Sequence, residues 1–492
     1  MQIKKTKSLC PECLKVIDAE IIKKNGQVLY QKKCPEHGEF FDTYWSDETL
    51  YERFKKFAAD GKGLENPNTK EEKGCPYDCG LCPNHNTTTI LANLDLTNRC
   101  DQHCPICFAN AAAAGYVYEP TMEQIKKMME TLRNEKPVPC PAIQFSGGEP
   151  TVRKELPEII KMAKDLGFVQ VQIASNGKRL AYDLKLCQKL KDAGLDTIYL
   201  QFDGLKEKTY IEIRGFNALP NKLAAIENCR KAGLNSIVLV PTIARGTNDD
   251  QIGDIVKFAG KNLDVVKGVN FQPISFAGRV EKEELRQMRI TIPETLKLLS
   301  EQTDCQISPN DFYPVSSVLP FSHFVEAWKK KPQIEFTIHP HCGAATYVFT
   351  EGSKFIPITR FVDVEKLFNF VEASAQKLKE SAFPKIDKTK IISQMVKILP
   401  RLIDKEKAPK SIDITKMLIN IFKNGTKDAL GEFHRKTLFI GTMHFQDAYN
   451  FDLERVKRCG IHYVVPDGRI IPFCSYNTIH RENIEKKFSR DL

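Results

Sequence analysis

The chain has 492 residues, which is too long for one ordinary domain and predicts two to four. Hydrophobic residues make up 42% of it, which is enough to form real cores and excludes a disordered or low-complexity chain. The sequence has no apolar run of transmembrane length and no signal-peptide pattern, so we expect a cytoplasmic protein rather than an integral membrane protein.

The net charge of +10 is unevenly distributed along the chain. Between Lys377 and Lys436 there are 15 Lys and Arg residues and seven Asp and Glu residues. This excess predicts an anionic partner, either a nucleic acid or a membrane surface rich in phosphate head groups. The alternative is a solvated, lysine-rich face with no partner.

The first cysteine motif lies in residues 1–50, which we predict to be a metal-knuckle domain. Disulfides are not expected in a reducing compartment, so 16 cysteines favour metal sites. The pattern C-x2-C…C-x2-H suits a tetrahedral mononuclear site for zinc or a rubredoxin-like iron. Asn25-Gly26 between its halves predicts a hairpin turn. The predicted ligands are Cys10, Cys13, Cys34 and His37.

Residues 51–90 begin with a predicted helix and linker and end in a second motif, "CPYDCGLCPNH". Its C-x3-C-x2-C spacing predicts an auxiliary [4Fe–4S] cluster held by Cys75, Cys79 and Cys82. The sequence does not identify a fourth ligand. His85 is close by, and we interpret it as a surface residue.

Residues 91–280 alternate strictly between predicted strands and helices. Six strands, from "LANLDLT" to "GVNFQPIS", are separated by at least five helices. This order predicts parallel strands with crossover helices, in either a doubly wound sheet or a barrel. In both architectures the chemistry lies at the C-terminal ends of the strands, where the conspicuous polar segments of this region occur.

The segment "CDQHCPIC" after the first of these strands contains Cys100, Cys104 and Cys107. Three thiolates can hold three irons of a [4Fe–4S] cluster, and the fourth iron is then open to the amino and carboxylate groups of a small molecule. "FSGGEP" after the second strand suits the backbone site for that molecule. Its two glycines allow close approach of main-chain groups, and Glu149 can face a cation.

These two motifs, in this β/α order, resemble the radical S-adenosylmethionine (radical SAM) superfamily over about residues 91–280. The resemblance implies a partial (β/α)6 barrel, and a cluster that reduces S-adenosylmethionine to give methionine and a 5′-deoxyadenosyl radical. It implies that Cys100, Cys104 and Cys107 bind the catalytic cluster. The expected S-adenosylmethionine contacts are Gly147, Gly148 and Glu149 for the methionine moiety, Ser175 and Asn176 for the ribose, and Arg214 for the carboxylate. Asp203 is a further candidate, with an ordinary strand-end turn as the alternative.

Residues 281–492 are predicted to form a C-terminal domain with an auxiliary cluster and basic amphipathic helices. Two segments, "PKIDKTKIISQMVKILPRLIDK" and "SIDITKMLINIFKNG", predict helices with Lys on the polar side. Cys342, Cys459 and Cys474 are candidate ligands of a second auxiliary [4Fe–4S] cluster, although their spacing is wide. Cys140 is a candidate to complete one of these sites, whereas Cys187 and Cys229 are predicted core residues.

As a whole, the chain resembles archaeal tetraether lipid synthases, a group formerly described as pterin-related radical methyltransferases. The first description implies coupling of terminal methyl carbons of phytanyl chains in an archaeal phospholipid. It also implies an electron donor such as a ferredoxin or flavodoxin, and basic helices resting peripherally on a membrane surface. The alternative is a methyltransferase acting on a hydroxymethylpterin in methanopterin-type cofactor biosynthesis. An apolar tunnel would favour the lipid, and a compact polar pocket the pterin.

A third hypothesis is an iron–sulfur electron carrier or an RNA-binding zinc protein. The metal knuckle and the positive charge are compatible with RNA. However, the interleaved aromatic and basic residues of single-strand binders are not evident. Nucleic acid is therefore not expected as a partner.

Overall fold

The N-terminal unit is a four-stranded antiparallel sheet. The computed structural model describes residues 2–278, 287–424 and 427–490. The strands are β1 (Gln2–Leu9), β2 (Val16–Lys24), β3 (Gln27–Cys34) and β4 (Gly38–Trp45), paired in that order. Asn25 and Gly26 both have positive φ at the β2–β3 turn, as a tight hairpin requires. The predicted hairpin is confirmed.

The central sheet contains the six predicted parallel strands. In chain order the strands here are β5 (Leu91–Thr97), β6 (Val117–Tyr118), β7 (Ala142–Gly147), β8 (Gln170–Ser175), β9 (Thr197–Gln201), β10 (Ile237–Val240), β11 (Thr242–Ile243) and β12 (Val266–Pro273). The six predicted ones, β5, β7, β8, β9, β10 and β12, are neighbours in that order, and each pair is parallel. The predicted α/β partial barrel is confirmed.

Helices cover one face of this sheet. After α1 (Glu48–Lys55), which follows β4 and contacts β3 of the N-terminal sheet, they are α2 (Met122–Arg133), α3 (Leu156–Asp165), α4 (Lys178–Tyr182), α5 (Leu184–Asp192), α6 (Glu207–Arg214), α7 (Leu219–Ala232) and α8 (Ile252–Lys261). Alternate apolar residues of the strands, such as Leu94 and Phe145, join the apolar stripes of these helices in the main core. The residues between them, such as Asn93 and Gln144, therefore point to the opposite, inner face.

The second half of the chain adds strands to both edges of the same sheet. Strand β16 (Leu438–Met443) pairs in parallel with β12, and β17 (Ile461–Val464) pairs in parallel with β5. The remaining strands are β13 (Tyr313–Pro314), β14 (Gly343–Glu351), β15 (Lys354–Pro357), β18 (Ile470–Pro472) and β19 (Ser489–Arg490). The predicted domain boundary at 280 and 281 lies outside the described residues, and the domain division stays a prediction.

A second core is formed by helices of this half. Its helices are α10 (Leu319–Lys329), α11 (Val364–Lys379), α12 (Pro384–Leu402), α13 (Ile414–Asn424) and α14 (Lys427–Lys436). The other helices of this half are α9 (Ile292–Gln302), which joins the main core, and α15 (Leu453–Lys457), α16 (Phe473–Ser475) and α17 (Arg481–Lys487), which contribute to a third cluster. The two predicted basic helices are confirmed as α12 and α13. Their apolar sides are buried in the second core through residues such as Met395 and Met417. Among the described residues, no helix is long and apolar enough to cross a bilayer.

Candidate active site and metal centres

The loop after β5 carries Cys100, Cys104 and Cys107 at the C-terminal end of the parallel sheet, and all three are half-buried. Burial raises the pKa of the Cys100 thiol to about 12. Burial also raises the pKa of Cys104, although the neighbouring Arg214 guanidinium opposes that shift. Metal binding requires thiolates, so a cation at this loop would displace these protons. Three thiols on one loop fit the donor set for a cluster with one open iron.

Gly147 and Gly148 allow the backbone that leads into the cysteine loop to approach β7. The N–H of Gly148 donates to the carbonyl oxygen of Thr97 at 2.7 Å. A Cβ would lie 2.2 Å from the oxygen of Thr97 at Gly147, and 2.3 Å from the oxygen of Arg99 at Gly148. Gly147 also has φ of +122°, which disfavours any other residue. The close approach expected from the sequence is therefore made by the protein's own chain.

Glu149 connects the ends of β7 and β8. Its buried carboxylate accepts hydrogen bonds from the hydroxyl of Thr151 at 2.6 Å, the hydroxyl of Ser175 at 2.9 Å and the N–H of Asn176 at 2.7 Å. Burial raises its pKa. The protein groups that donate to this carboxylate are neutral, and its expected contact with a cation stays a prediction. Its contacts fix the position of the two residues expected at the ribose.

Asn176 lies directly beside the cysteine loop. Its Nδ2 donates to Oδ1 of Asp101 at 2.8 Å and is 3.9 Å from Sγ of Cys100. Lys178 on the following turn donates to the carbonyl oxygen of Asp101 at 2.9 Å. The ends of β5 and β8 are thus joined around the loop that carries the three thiols.

Arg214 and Asp203 form a buried bidentate ion pair. Nε and Nη2 of Arg214 lie 2.7 and 2.9 Å from the two carboxylate oxygens of Asp203. Nη1 of the same guanidinium donates to the carbonyl oxygen of Ile106 on the cysteine loop at 3.3 Å. Asp203 is therefore the partner of a buried arginine and not an ordinary turn residue. Arg214 was expected to meet a ligand carboxylate, and here it pairs with one from the protein.

Lys222 is a polar residue of this site that we did not identify from the sequence. It is fully buried, and its Nζ donates to the carbonyl oxygen of Asn176 and to Oε1 of Gln201, each at 2.5 Å. Burial lowers the pKa of Lys222 to about 8. Lys222 lies on the buried face of α7 with Ala225, Ile226 and Cys229. A lysine at a core position of a helical repeat was the signal available in the sequence.

The N-terminal sheet brings its four predicted metal ligands together. One ligand atom from each of Cys10, Cys13, Cys34 and His37 lies within 4.8 Å of all the others. Nδ1 of His37 is 3.7 Å from Sγ of Cys10 and 3.5 Å from Sγ of Cys34. A tetrahedral zinc with usual bond lengths separates sulfur and nitrogen ligands by about 3.5 Å. The residues therefore fit a mononuclear tetrahedral metal.

Cys75, Cys79 and Cys82 line one small, partly open pocket, together with Asp78, His85 and Lys457. Oδ2 of Asp78 accepts hydrogen bonds from three successive backbone N–H groups, from Glu72 to Gly74. The prediction that His85 is a surface residue is wrong. It is buried, and its Nε2 lies 2.8 Å from the carbonyl oxygen of Cys459 and 3.1 Å from Nε2 of His462. Burial lowers its pKa to about 4, so the ring is neutral near pH 7.

The three C-terminal cysteines also lie in one region. Nε of Arg455 donates to Sγ of Cys342 at 3.2 Å, and the N–H of Gln446 donates to Sγ of Cys474 at 3.3 Å. Burial, together with the neighbouring Cys474 and Cys342, raises the pKa of Cys459. Cys140 lies elsewhere, buried in the main core with its thiol donating to the carbonyl oxygen of Ala142. Cys187 and Cys229 are core residues, as predicted.

A parallel α/β barrel with this cysteine loop after one strand and G-G-E-P after the next is characteristic of a radical SAM protein. The model of the radical SAM superfamily matches residues 94–259, and that of the HMPTM N-terminal zinc ribbon domain matches residues 2–46. The 7,8-dihydro-6-hydroxymethylpterin dimethyltransferase of Methanocaldococcus jannaschii is 54% identical over 99% of this chain and 96% of its own length. The chain belongs to the radical SAM superfamily and, within it, to the family of this relative.

Two further comparisons cover only part of the chain. A probable GTP 3′,8-cyclase of Pyrococcus abyssi is 33% identical over 34% of this chain and 52% of its own length. A crystal structure of Streptococcus suis SuiB bound to S-adenosylmethionine matches 45% of this chain and 48% of its own with a TM-score of 0.35 and 15% identity.

Membership of this superfamily determines the main cofactors. The protein uses S-adenosylmethionine and a [4Fe–4S] cluster, requires an electron donor, and has a further metal site in its zinc ribbon. The predicted lipid-coupling function is wrong. The relative that matches nearly the whole chain is a pterin dimethyltransferase and not a tetraether lipid synthase, so the alternative stated from the sequence is the better supported one.

Proposed function

We propose that this protein is a radical SAM methyltransferase that acts on a hydroxymethylpterin. The similarity to the Methanocaldococcus jannaschii enzyme extends over both chains almost completely, which supports transfer of the activity. The structural observation that carries the proposal is the chemistry of the inner face of the sheet. That face is rich in side-chain amides, which suit a polar heterocycle.

Five of the six parallel strands, all except β10, place an amide on this face, namely Asn93, Gln144, Gln172, Gln201 and Asn270. Several of these amides are bonded to one another or to charged neighbours. Gln172 donates to Gln144, Gln144 donates to Asn93, and Lys222 donates to Gln201. A hydrocarbon tail against such a wall would leave the amide groups that are not already paired, such as Nδ2 of Asn93, without partners, at a cost of about 1–3 kcal/mol each. A pterin, with its ring nitrogens, amino group and carbonyl, can form hydrogen bonds with them.

In this proposal Cys100, Cys104 and Cys107 hold the catalytic [4Fe–4S] cluster. When bound, the cluster and S-adenosylmethionine supply a 5′-deoxyadenosyl radical that abstracts hydrogen. The protein's own residues orient the reactants. The segment from Gly147 to Glu149, with Ser175 and Asn176, positions S-adenosylmethionine beside the loop. The pair of Arg214 and Asp203 holds the opposite side of the loop through the carbonyl group of Ile106.

The remaining metal sites and partners complete the proposal. The zinc ribbon holds zinc or iron through Cys10, Cys13, Cys34 and His37. One auxiliary cluster is assigned to Cys75, Cys79 and Cys82, and another to Cys342, Cys459 and Cys474. The electron donor is a ferredoxin or flavodoxin. Contact of the basic helices with an anionic membrane surface stays a prediction that methylation of a pterin does not require.

The test is an anaerobic turnover of the reconstituted full chain with S-adenosylmethionine, a reductant and 7,8-dihydro-6-hydroxymethylpterin. Mass spectrometry would follow the pterin and 5′-deoxyadenosine in parallel. A pterin heavier by one or two methyl groups, formed together with deoxyadenosine, is the expected result. Cys104→Ala is the control and is expected to form neither product. Deoxyadenosine formation with an unchanged pterin would contradict the proposed function.

A further inference from the structure

Three amides on the inner face form a directional row across β5, β7 and β8. Asn93, Gln144 and Gln172 occupy equivalent positions on these neighbouring parallel strands. Nε2 of Gln172 donates to Oε1 of Gln144 at 2.8 Å, and Nε2 of Gln144 donates to Oδ1 of Asn93 at 2.7 Å. We call these three residues the amide row. The side-chain nitrogen of each residue donates to the side-chain oxygen of the next, so the last donor of the row is the amide nitrogen of Asn93.

That terminal nitrogen has no hydrogen-bond partner among the residues that the structure describes. The Asn93 side chain is only 1% exposed, so bulk solvent does not reach it in this conformation. An unpaired donor at a buried site is costly, and such groups are rare in folded proteins. A ligand with a hydrogen-bond acceptor would remove the cost. Gln144, in the middle of the row, is half-buried and gives the row a side that faces the interior of the barrel.

The carboxylate of Asp95 provides hydrogen-bond acceptors near this donor, on the same strand. Asp95 is two residues after Asn93 and points to the same face, about 6.6 Å further along β5. Its carboxylate oxygens accept from the hydroxyl of Ser146 and from Nη1 of Arg481, each at 2.7 Å. Each oxygen of a carboxylate has a second lone pair, so both can accept another hydrogen bond. Amide donors and carboxylate acceptors thus lie side by side, at the end of the sheet that leads to Cys100.

We propose that the amide row and Asp95 form the recognition site for the pterin ring, an inference that rests on the proposed function. The carbonyl oxygen and ring nitrogens of a pterin accept hydrogen bonds, and the amide nitrogen of Asn93 supplies one. The exocyclic amino group and ring N–H donate, and Asp95 accepts. This arrangement selects a fused heterocycle with adjacent acceptors and donors. It also places that ring below the loop of Cys100, Cys104 and Cys107.

The test is the affinity of the reconstituted full chain for 7,8-dihydro-6-hydroxymethylpterin, measured by anaerobic equilibrium dialysis. Asn93→Leu has nearly the shape of the native residue and removes the terminal donor. It is expected to raise the Kd for the pterin about tenfold or more, while the Kd for S-adenosylmethionine stays within about twofold. Its unfolding midpoint is expected to fall slightly, because Nε2 of Gln144 loses the oxygen of Asn93 as its acceptor, and the loss of the unpaired donor offsets only part of that cost.

Gln170→Leu is the matched control. Gln170 points to the same face of β8 and donates to Oγ1 of Thr197 at 2.8 Å, outside the amide row. Its pterin affinity is expected to equal that of the wild type. If Asn93→Leu does not fold, Asn93→Asp keeps an oxygen that accepts from Nε2 of Gln144, removes the terminal donor and makes the same test.

Failure of this inference differs from failure of the proposed function. If the wild type binds and methylates the pterin and Asn93→Leu binds it equally well, the recognition site is wrong and the function stands. If the wild type neither binds nor methylates the pterin, the proposed function is overturned and the recognition site with it.

Discussion

Replacing Gly148 by alanine is expected to displace the cysteine loop. The added Cβ would lie 2.3 Å from the carbonyl oxygen of Arg99, whereas ordinary contact begins at 3.4 Å, so that carbonyl has to retreat by about 1 Å. Cys100 follows Arg99 directly, and its thiol moves with the backbone. Overpacking of this kind costs about 1–3 kcal/mol in unfolding free energy. A displacement of about 1 Å at a reacting group costs about a hundredfold in rate.

Both quantities can be measured on the anaerobically reconstituted chain, by unfolding in guanidinium chloride and by the rate of 5′-deoxyadenosine formation. Gly431→Ala on α14 is the control, because among the described side chains its Cβ meets only the flexible end of Arg435, at 3.2 Å. Alanine there is expected to stabilise the fold by about 0.5–1 kcal/mol, since glycine loses more backbone entropy in a helix. If Gly148→Ala has the unfolding free energy of the wild type and forms 5′-deoxyadenosine within about twofold of its rate, then the close approach of Gly148 to Arg99 does not position the cysteine loop.

Three further changes test other parts of the structure. The folded protein holds the pKa of Lys222 at about 8, below the 10.5 of an exposed lysine, so it binds fewer protons than the unfolded chain between these pH values. Lys222 therefore makes the free energy of unfolding rise with pH across that window. Lys222→Met should reduce the difference between the unfolding free energies measured in urea at pH 7.5 and at pH 9.5, and an unchanged difference would contradict this. Arg289→Met leaves the carboxylate of Asp447, 3.0 Å from the guanidinium, buried without its cation, and is expected to cost about 3–5 kcal/mol in denaturant unfolding. Cys34→Ser should remove about one equivalent of zinc or iron per chain in elemental analysis and leave the iron–sulfur absorbance intact, whereas retention of that metal would exclude the predicted site.

Local patterns in the sequence were enough to predict the order of strands and helices in the barrel and most of its motifs. Hydrophobic alternation and the glycines that end helices act over a few residues, and all six predicted strands were found in the predicted order. The ligands of the zinc ribbon come from two short segments joined by one hairpin, so their spacing alone predicted the site that the fold assembles. The C-x3-C-x2-C loop is also a local pattern. Together with G-G-E-P after the next strand, it was enough to show the resemblance to the radical SAM superfamily.

Tertiary packing decided what each buried polar group contacts. The spacing of Asp203 and Arg214 suggested separate roles, and only the packing of α6 against the ends of β9 and β11 makes them partners. His85 became a buried residue because β17, more than 370 positions later in the chain, adds to the edge of the sheet beside it. The amide row likewise depends on the register of three parallel strands. Contacts of this kind join residues that are distant in the chain, and no local pattern specifies which strands will lie side by side.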